Sequence, residues 1–145
     1  MIDQIHLSWT ADPATSMTFC WHSNIPSGEP HVVIEAEHAA TKQVVFGERR
    51  ESPGDGYIFT STANRLEPST DYTYRIVSDH DQSRTLAFRT APAERGEQIR
   101  FAFFGDTGLI GRPDGNATGT TAVYRGLVAA DVLFSLGGGD YAYAN

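Results

Sequence analysis

A chain of 145 residues has room for one ordinary domain, or for a small domain and part of a second. Eleven Lys and Arg against eighteen Asp and Glu leave a net charge of -7, and no basic cluster offsets it, which speaks against a nucleic-acid partner. Cys20 is the only cysteine, so an intrachain disulfide is excluded, and no apolar run approaches the roughly 20 residues of a membrane helix.

From Gln4 to Thr90 the sequence reads as strands and turns. Ile5, Leu7 and Trp9 alternate with polar residues, Asp12-Pro13-Ala14-Thr15-Ser16 supplies a turn, and Met17, Phe19 and Trp21 alternate again, which predicts a hairpin with one apolar face. Asn24 to Pro30 is a loop; His31 to Glu37 and Gln43 to Phe46 are further strands; Ser52-Pro53-Gly54-Asp55-Gly56 breaks the chain before a strand from Tyr57 to Ala63. In Leu66-Glu67-Pro68-Ser69-Thr70-Asp71-Tyr72-Thr73-Tyr74-Arg75-Ile76 a turn precedes Tyr72, Tyr74 and Ile76 on one strand face. A tyrosine at such a corner buries its ring and returns its hydroxyl to nearby backbone, a device of immunoglobulin-like sandwiches. Leu86 and Phe88 close the set in a strand ending at Thr90. Short strands with no helical period before Ala91 predict a two-sheet antiparallel sandwich, and this half resembles a fibronectin type III domain. Trp9, Phe19, Trp21 and Tyr74 are its expected packing residues, and the five histidines are scattered rather than set at metal-ligand spacing.

Ala91 to Gln98 is polar, carries Pro and Gly, and reads as a linker. Beyond it the pattern changes class. Ile99 to Phe104 is apolar almost throughout, as in a strand buried on both faces, and runs into Gly105-Asp106-Thr107-Gly108. A helix is expected from about Thr120 to Ala130, capped by Thr118 or Thr120, with Val123, Leu127 and Tyr124 toward a sheet. A second apolar strand, Asp131 to Leu136, ends in Gly137-Gly138-Gly139-Asp140-Tyr141-Ala142-Tyr143. Strand, helix, strand predicts a right-handed βαβ unit with both acidic turns at one sheet edge, where open α/β sheets place their ligands. One such unit cannot cover a parallel sheet on both faces, so the second domain is expected to be incomplete. The expected division is 1–91 for the sandwich, 92–98 for the linker and 99–145 for the βαβ part.

Paired aspartates at strand ends are hard oxygen donors suited to hard cations, and the glycines let the backbone turn sharply and approach a ligand. Gly105-Asp106-Thr107-Gly108 resembles the first GDxG block of the calcineurin-like metallophosphoesterases, and Gly139-Asp140-Tyr141-Ala142-Tyr143 resembles the GDxxY block of purple acid phosphatases. The segments Gln4–Trp21, Leu66–Ile76 and Leu86–Pro92 are similar to the fibronectin-III-like domain that precedes the catalytic domain in plant-type members. The resemblance implies a fibronectin-III-like sandwich followed by the first βαβ unit of a metallophosphoesterase domain. It also implies a binuclear centre of Fe(III) with a divalent ion (Fe, Zn or Mn), in which Asp106 ligates the trivalent iron, Asp140 bridges both metals and Tyr143 is the iron-bound tyrosinate. The implied activity is hydrolysis of phosphate monoesters by metal-bound hydroxide.

The family's GNH, separate histidine and GHxH blocks, which complete both metal sites and supply acid-base groups, do not occur in the 145 residues, so the chain alone is expected to be inactive. The run Gly137-Gly138-Gly139 is a longer approach to GDxxY than the family's pattern. The resemblance implies a secreted or periplasmic setting, while Met1-Ile2-Asp3-Gln4 lacks the start of an export signal. The alternative to an enzyme portion is a non-catalytic fibronectin-III-like binding module with an inert βαβ remnant. An aspartate-nucleophile phosphatase of the haloacid dehalogenase type is rejected, because Gly108 stands where its second Asp belongs.

Overall fold

The computed structural model describes residues 1–37, 42–79, 81–94, 96, 98–105 and 118–139. They fall into two compact units, Met1–Arg95 and Gly96–Asn145.

The first unit is a sandwich of two four-stranded antiparallel sheets. One sheet runs in the order β1 (Ile2–Ser8), β2 (Ser16–Ser23), β6 (Tyr57–Asn64), β5 (Glu48–Glu51); the other runs β4 (Lys42–Phe46), β3 (His31–Ala36), β7 (Asp71–Val77), β8 (Leu86–Arg89). Period-two alternation sends Met17, Phe19, Trp21 and Phe59 inward from the first sheet to meet Val32, Ile34, Tyr74, Ile76 and Phe88 from the second. The contact is largely aromatic. Phe19 lies 4.9 Å from the Tyr74 ring and 5.6 Å, edge-on, from Phe88 across the sandwich, while Trp21 stacks at 5.4 Å on Phe59, its neighbour within the first sheet. Trp9, expected in the core, packs against it partly buried.

The predicted hairpin and strands are present, with one addition. Strand β5 has four exposed residues, Glu48-Arg49-Arg50-Glu51, and pairs with β6 across the turn at 52–56. Its composition carries no alternation because neither face meets the core, and charge on such an edge deters pairing with another chain.

The chain crosses between sheets at the corner after β6. Leu66 is buried there, and the Tyr72 hydroxyl accepts the amide hydrogen of Glu67 at 2.8 Å, as the sequence predicts for a tyrosine corner. Thr90, fully buried just past β8, locks the same corner by donating its hydroxyl to the Glu67 carbonyl at 2.6 Å and accepting from the Thr70 amide at 2.9 Å. Ser69 N–H to Ala91 O at 3.1 Å and Ala91 N–H to Pro13 O at 3.0 Å finish the seam.

Candidate metal centre

The second unit is built on two parallel strands, β9 (Phe101–Phe104) and β10 (Phe134–Gly137), joined through α1 (Thr118–Ala129). The helix stops where Asp131 takes φ of 51°, the left-handed position past a helix end, and the chain re-enters the sheet through Leu133 N–H to Arg100 O at 2.8 Å. The register pairs Phe101 with Phe134 and Phe104 with Gly137, so the two strands finish side by side.

Strand β9 differs from the reading of a strand buried on both faces. Ala102 is buried and the Phe104 ring meets Tyr124 of α1 edge-on at 5.3 Å, but Phe101 is 54% and Phe103 72% exposed. One helix covers one face only, and the opposite row, where Phe101 stacks on Phe134 at 5.4 Å, has no cover among the described residues. The helix stripe is also shifted from its expected position. Thr120, Tyr124 and Leu127 form the i, i+4, i+7 row, leaving Val123 one position off it and 54% exposed.

Past the strand ends the backbones stay together. Gly138 N–H donates to Phe104 O at 2.6 Å, extending the ladder, and a Cβ placed on Gly105 would lie 3.5 Å from the Gly139 carbonyl oxygen. The glycine run divides into three tasks. Gly137 is the last strand residue; a Cβ on Gly138 would meet the Phe103 ring at 2.8 Å; and Gly139 turns the chain with φ of 107°. The longer approach to Asp140 thus spends its first glycine inside the strand.

Asp106, Asp140 and Tyr143 themselves lie outside the described residues, as does Tyr141. What the structure shows is the residue before each aspartate, Gly105 and Gly139, brought against one another at the carboxyl edge of the pair. Among the described residues no cluster of three or more His, Cys, Asp or Glu side chains could hold a metal ion. The donors named from the sequence are two carboxylates and a phenol, all hard oxygen ligands, and that set fits hard cations.

Comparison with known proteins agrees with both units. Among solved structures, purple acid phosphatase PPD1 from yellow lupin (Lupinus luteus) seeds is similar with a TM-score of 0.77 at 20% identity, over 99% of this chain and 30% of the lupin chain. At that identity the likeness establishes fold, and this chain spans under a third of the lupin enzyme's length. The sensor domain of the anti-sigma factor RsgI4 of Pseudobacteroides cellulosolvens is similar at a TM-score of 0.44 and 17% identity, over 63% of this chain and 94% of its own. No curated protein matches the chain. Residues 2–90, from the first strand to the threonine that closes the corner, match the family described as purple acid phosphatase, N-terminal domain. The chain belongs to the purple acid phosphatase N-terminal domain family.

Proposed function

We propose that the chain is the N-terminal portion of a binuclear-metal acid phosphatase acting on phosphate monoesters. In this reading residues 1–91 are its fibronectin-III-like domain, 92–98 a linker, and 99–145 the opening of a metallophosphoesterase domain. The supporting observation is the paired ending of β9 and β10, where Gly105 and Gly139 meet one residue before the two aspartates of the sequence. Asp106 is assigned as a ligand of trivalent iron, Asp140 as the bridge to a divalent ion (Fe, Zn or Mn), and Tyr143 as a further iron ligand.

When bound, such a pair of cations supplies Lewis-acid activation of water and of the phosphoryl oxygens. The chain's own residues supply the negative charge that permits the pair. The Asp140 carboxylate would offset repulsion between two cations, and Tyr143, whose phenol ordinarily holds its proton to a pKa near ~10, would give it up only beside a strongly polarising centre. The asparagine and histidines that complete the family's sites do not occur in these 145 residues at the expected blocks, so the catalytic reading is made for the whole protein. A secreted or periplasmic setting belongs to the same reading; among the described residues no helix is long and apolar enough to cross a membrane.

The test is an absorption spectrum of the iron-loaded full-length protein. Bonding between phenolate and ferric iron gives a visible charge-transfer band, which Tyr143→Phe should remove and Tyr141→Phe should leave, since Tyr141 sits at the wrong offset from Asp140. Asp140→Asn should lose both colour and aryl phosphate hydrolysis. An unchanged spectrum in Tyr143→Phe would overturn the assignment. The 145-residue chain by itself should show no metal-dependent hydrolysis of an aryl phosphate.

A further inference from the structure

His22 lies on the outward face of the first sheet with 15% of its side chain exposed, and both ring nitrogens face acceptors. Nδ1 is 2.7 Å from Asp3 Oδ1 on β1, and Nε2 is 2.7 Å from the main-chain carbonyl of Asp55 in the turn between β5 and β6. Neither partner has a hydrogen to give while Asp3 is ionised. A neutral imidazole carries one N–H and satisfies one of them, whereas the imidazolium donates to both.

We propose that His22 is a proton-operated clamp on this end of the sandwich. As imidazolium it adds a side-chain tie from the start of β1 and the 52–56 turn to β2; on losing its proton it keeps the turn and releases the Asp3 carboxylate, leaving the backbone pairing of Asp3 with His22 in place. The choice follows from what can move. Asp55 O is backbone in a turn closed by Ser52 N–H to Gly56 O at 3.1 Å, while the Asp3 side chain is 48% exposed and free to rotate into water. Neutral His22 therefore holds its hydrogen on Nε2, and its Nδ1 lone pair repels the carboxylate.

The charged and titratable surroundings favour the protonated form. The sheet register places Asp3, His22, Ile58 and Arg50 in one row and His6, Cys20, Thr60 and Glu48 in the next. The Asp55 carbonyl and then the Asp3 carboxylate raise the His22 pKa above its ordinary 6.5, against partial desolvation and the Met1 ammonium, which lower it. A folded value above the unfolded one makes the clamp's contribution full below the ordinary imidazole range. That contribution is lost as pH rises through the folded value.

Nitrogen-15 NMR of the imidazoles in the 145-residue chain reads the tautomer directly. Expected are a His22 titration above its ordinary value, the Nε2–H tautomer above it, and amide protection across Ile2–Gln4 that falls roughly two- to ten-fold, the worth of one hydrogen bond, while protection in the turn holds. Protection here is exchange normalised to the intrinsic rate at each pH. Asp3→Asn should lower the His22 titration and flatten the pH response at Ile2–Gln4, and His22→Gln should abolish that response. The Nδ1–H tautomer, loosening of the turn in place of β1, a titration at or below the ordinary value, or an unaltered response in Asp3→Asn would each overturn the proposal.

Discussion

The Thr90 hydroxyl donates to the Glu67 carbonyl at 2.6 Å and accepts from the Thr70 amide at 2.9 Å, with the whole side chain out of water. One hydroxyl thus joins the residue after the last strand to the corner between β6 and β7. Thr90→Val keeps the shape and removes the partner of two part-buried backbone groups, so it should cost about 1–3 kcal/mol. Thr90→Ser keeps the hydroxyl and should cost about 1 kcal/mol for the lost methyl. Equilibrium urea unfolding compares them, and equal stabilities would show that the hydroxyl does not hold the corner.

Tyr72 holds the same corner from the other side. Its ring stacks on Phe88 at 5.2 Å and its hydroxyl accepts from Glu67 N–H at 2.8 Å, so Tyr72→Phe separates the two contributions. The stack stays and one amide loses its partner, for an expected cost of about 1 kcal/mol. The check is the urea midpoint together with faster amide exchange at Glu67; an unchanged rate at Glu67 would count against the assigned bond.

How much of this was legible in the sequence follows from which groups leave a periodic trace. Phe19, Trp21, Tyr74 and Ile76 alternate because one face of each strand meets the core between the sheets, and the sandwich could be read from them. Glu48 to Glu51 alternate with nothing, since both faces of that edge are wet, and β5 stayed hidden. Tyr72 announced its corner through the turn before it; Thr90, a threonine at a strand end, gave no hint that its hydroxyl closes two backbone gaps. The run Phe101-Ala102-Phe103-Phe104 looked buried on both sides because aromatic content does not say which face the single helix reaches. For the candidate centre, the two GD motifs were legible as local turns. The strand-helix-strand order also placed both turns at one sheet edge; the structure adds that the two strands are direct neighbours, with Gly105 set against Gly139.

Tyr74 ties the core to alkaline pH. Burial pushes its pKa up to about 12 from an ordinary 10, with Arg84 acting weakly in the opposite direction. The folded value exceeds the unfolded one, so the stability carried by the neutral phenol is complete below pH ~10 and is lost as pH rises through about 12. Between pH ~9 and ~11 this amounts to about 1 kcal/mol from Tyr74 alone. Tyr74→Phe should flatten that part of the decline in urea midpoint. A variant whose alkaline decline matched that of the parent would mean the phenol titrates as freely in the fold as outside it.

The last prediction concerns where the first unit can be cut. Sandwich strands end at Arg89, yet the bonds that close the seam belong to the next two residues: Thr90 joins Glu67 and Thr70, and Ala91 joins Ser69 and Pro13. A fragment of residues 1–91 keeps both sheets, the aromatic contact between them and the whole seam, and should melt cooperatively on its own. A fragment ending at Arg89 keeps every strand but leaves the Glu67 carbonyl and the Thr70 amide of the corner without their partner. It should be less stable by several kcal/mol, the sum of the unpaired groups and the lost Thr90 packing. Thermal melts of the two fragments decide it. A disordered 1–91 fragment would show that the sandwich depends on chain beyond Ala91, and equal melting of both would show that the seam contributes little to holding the sheets together.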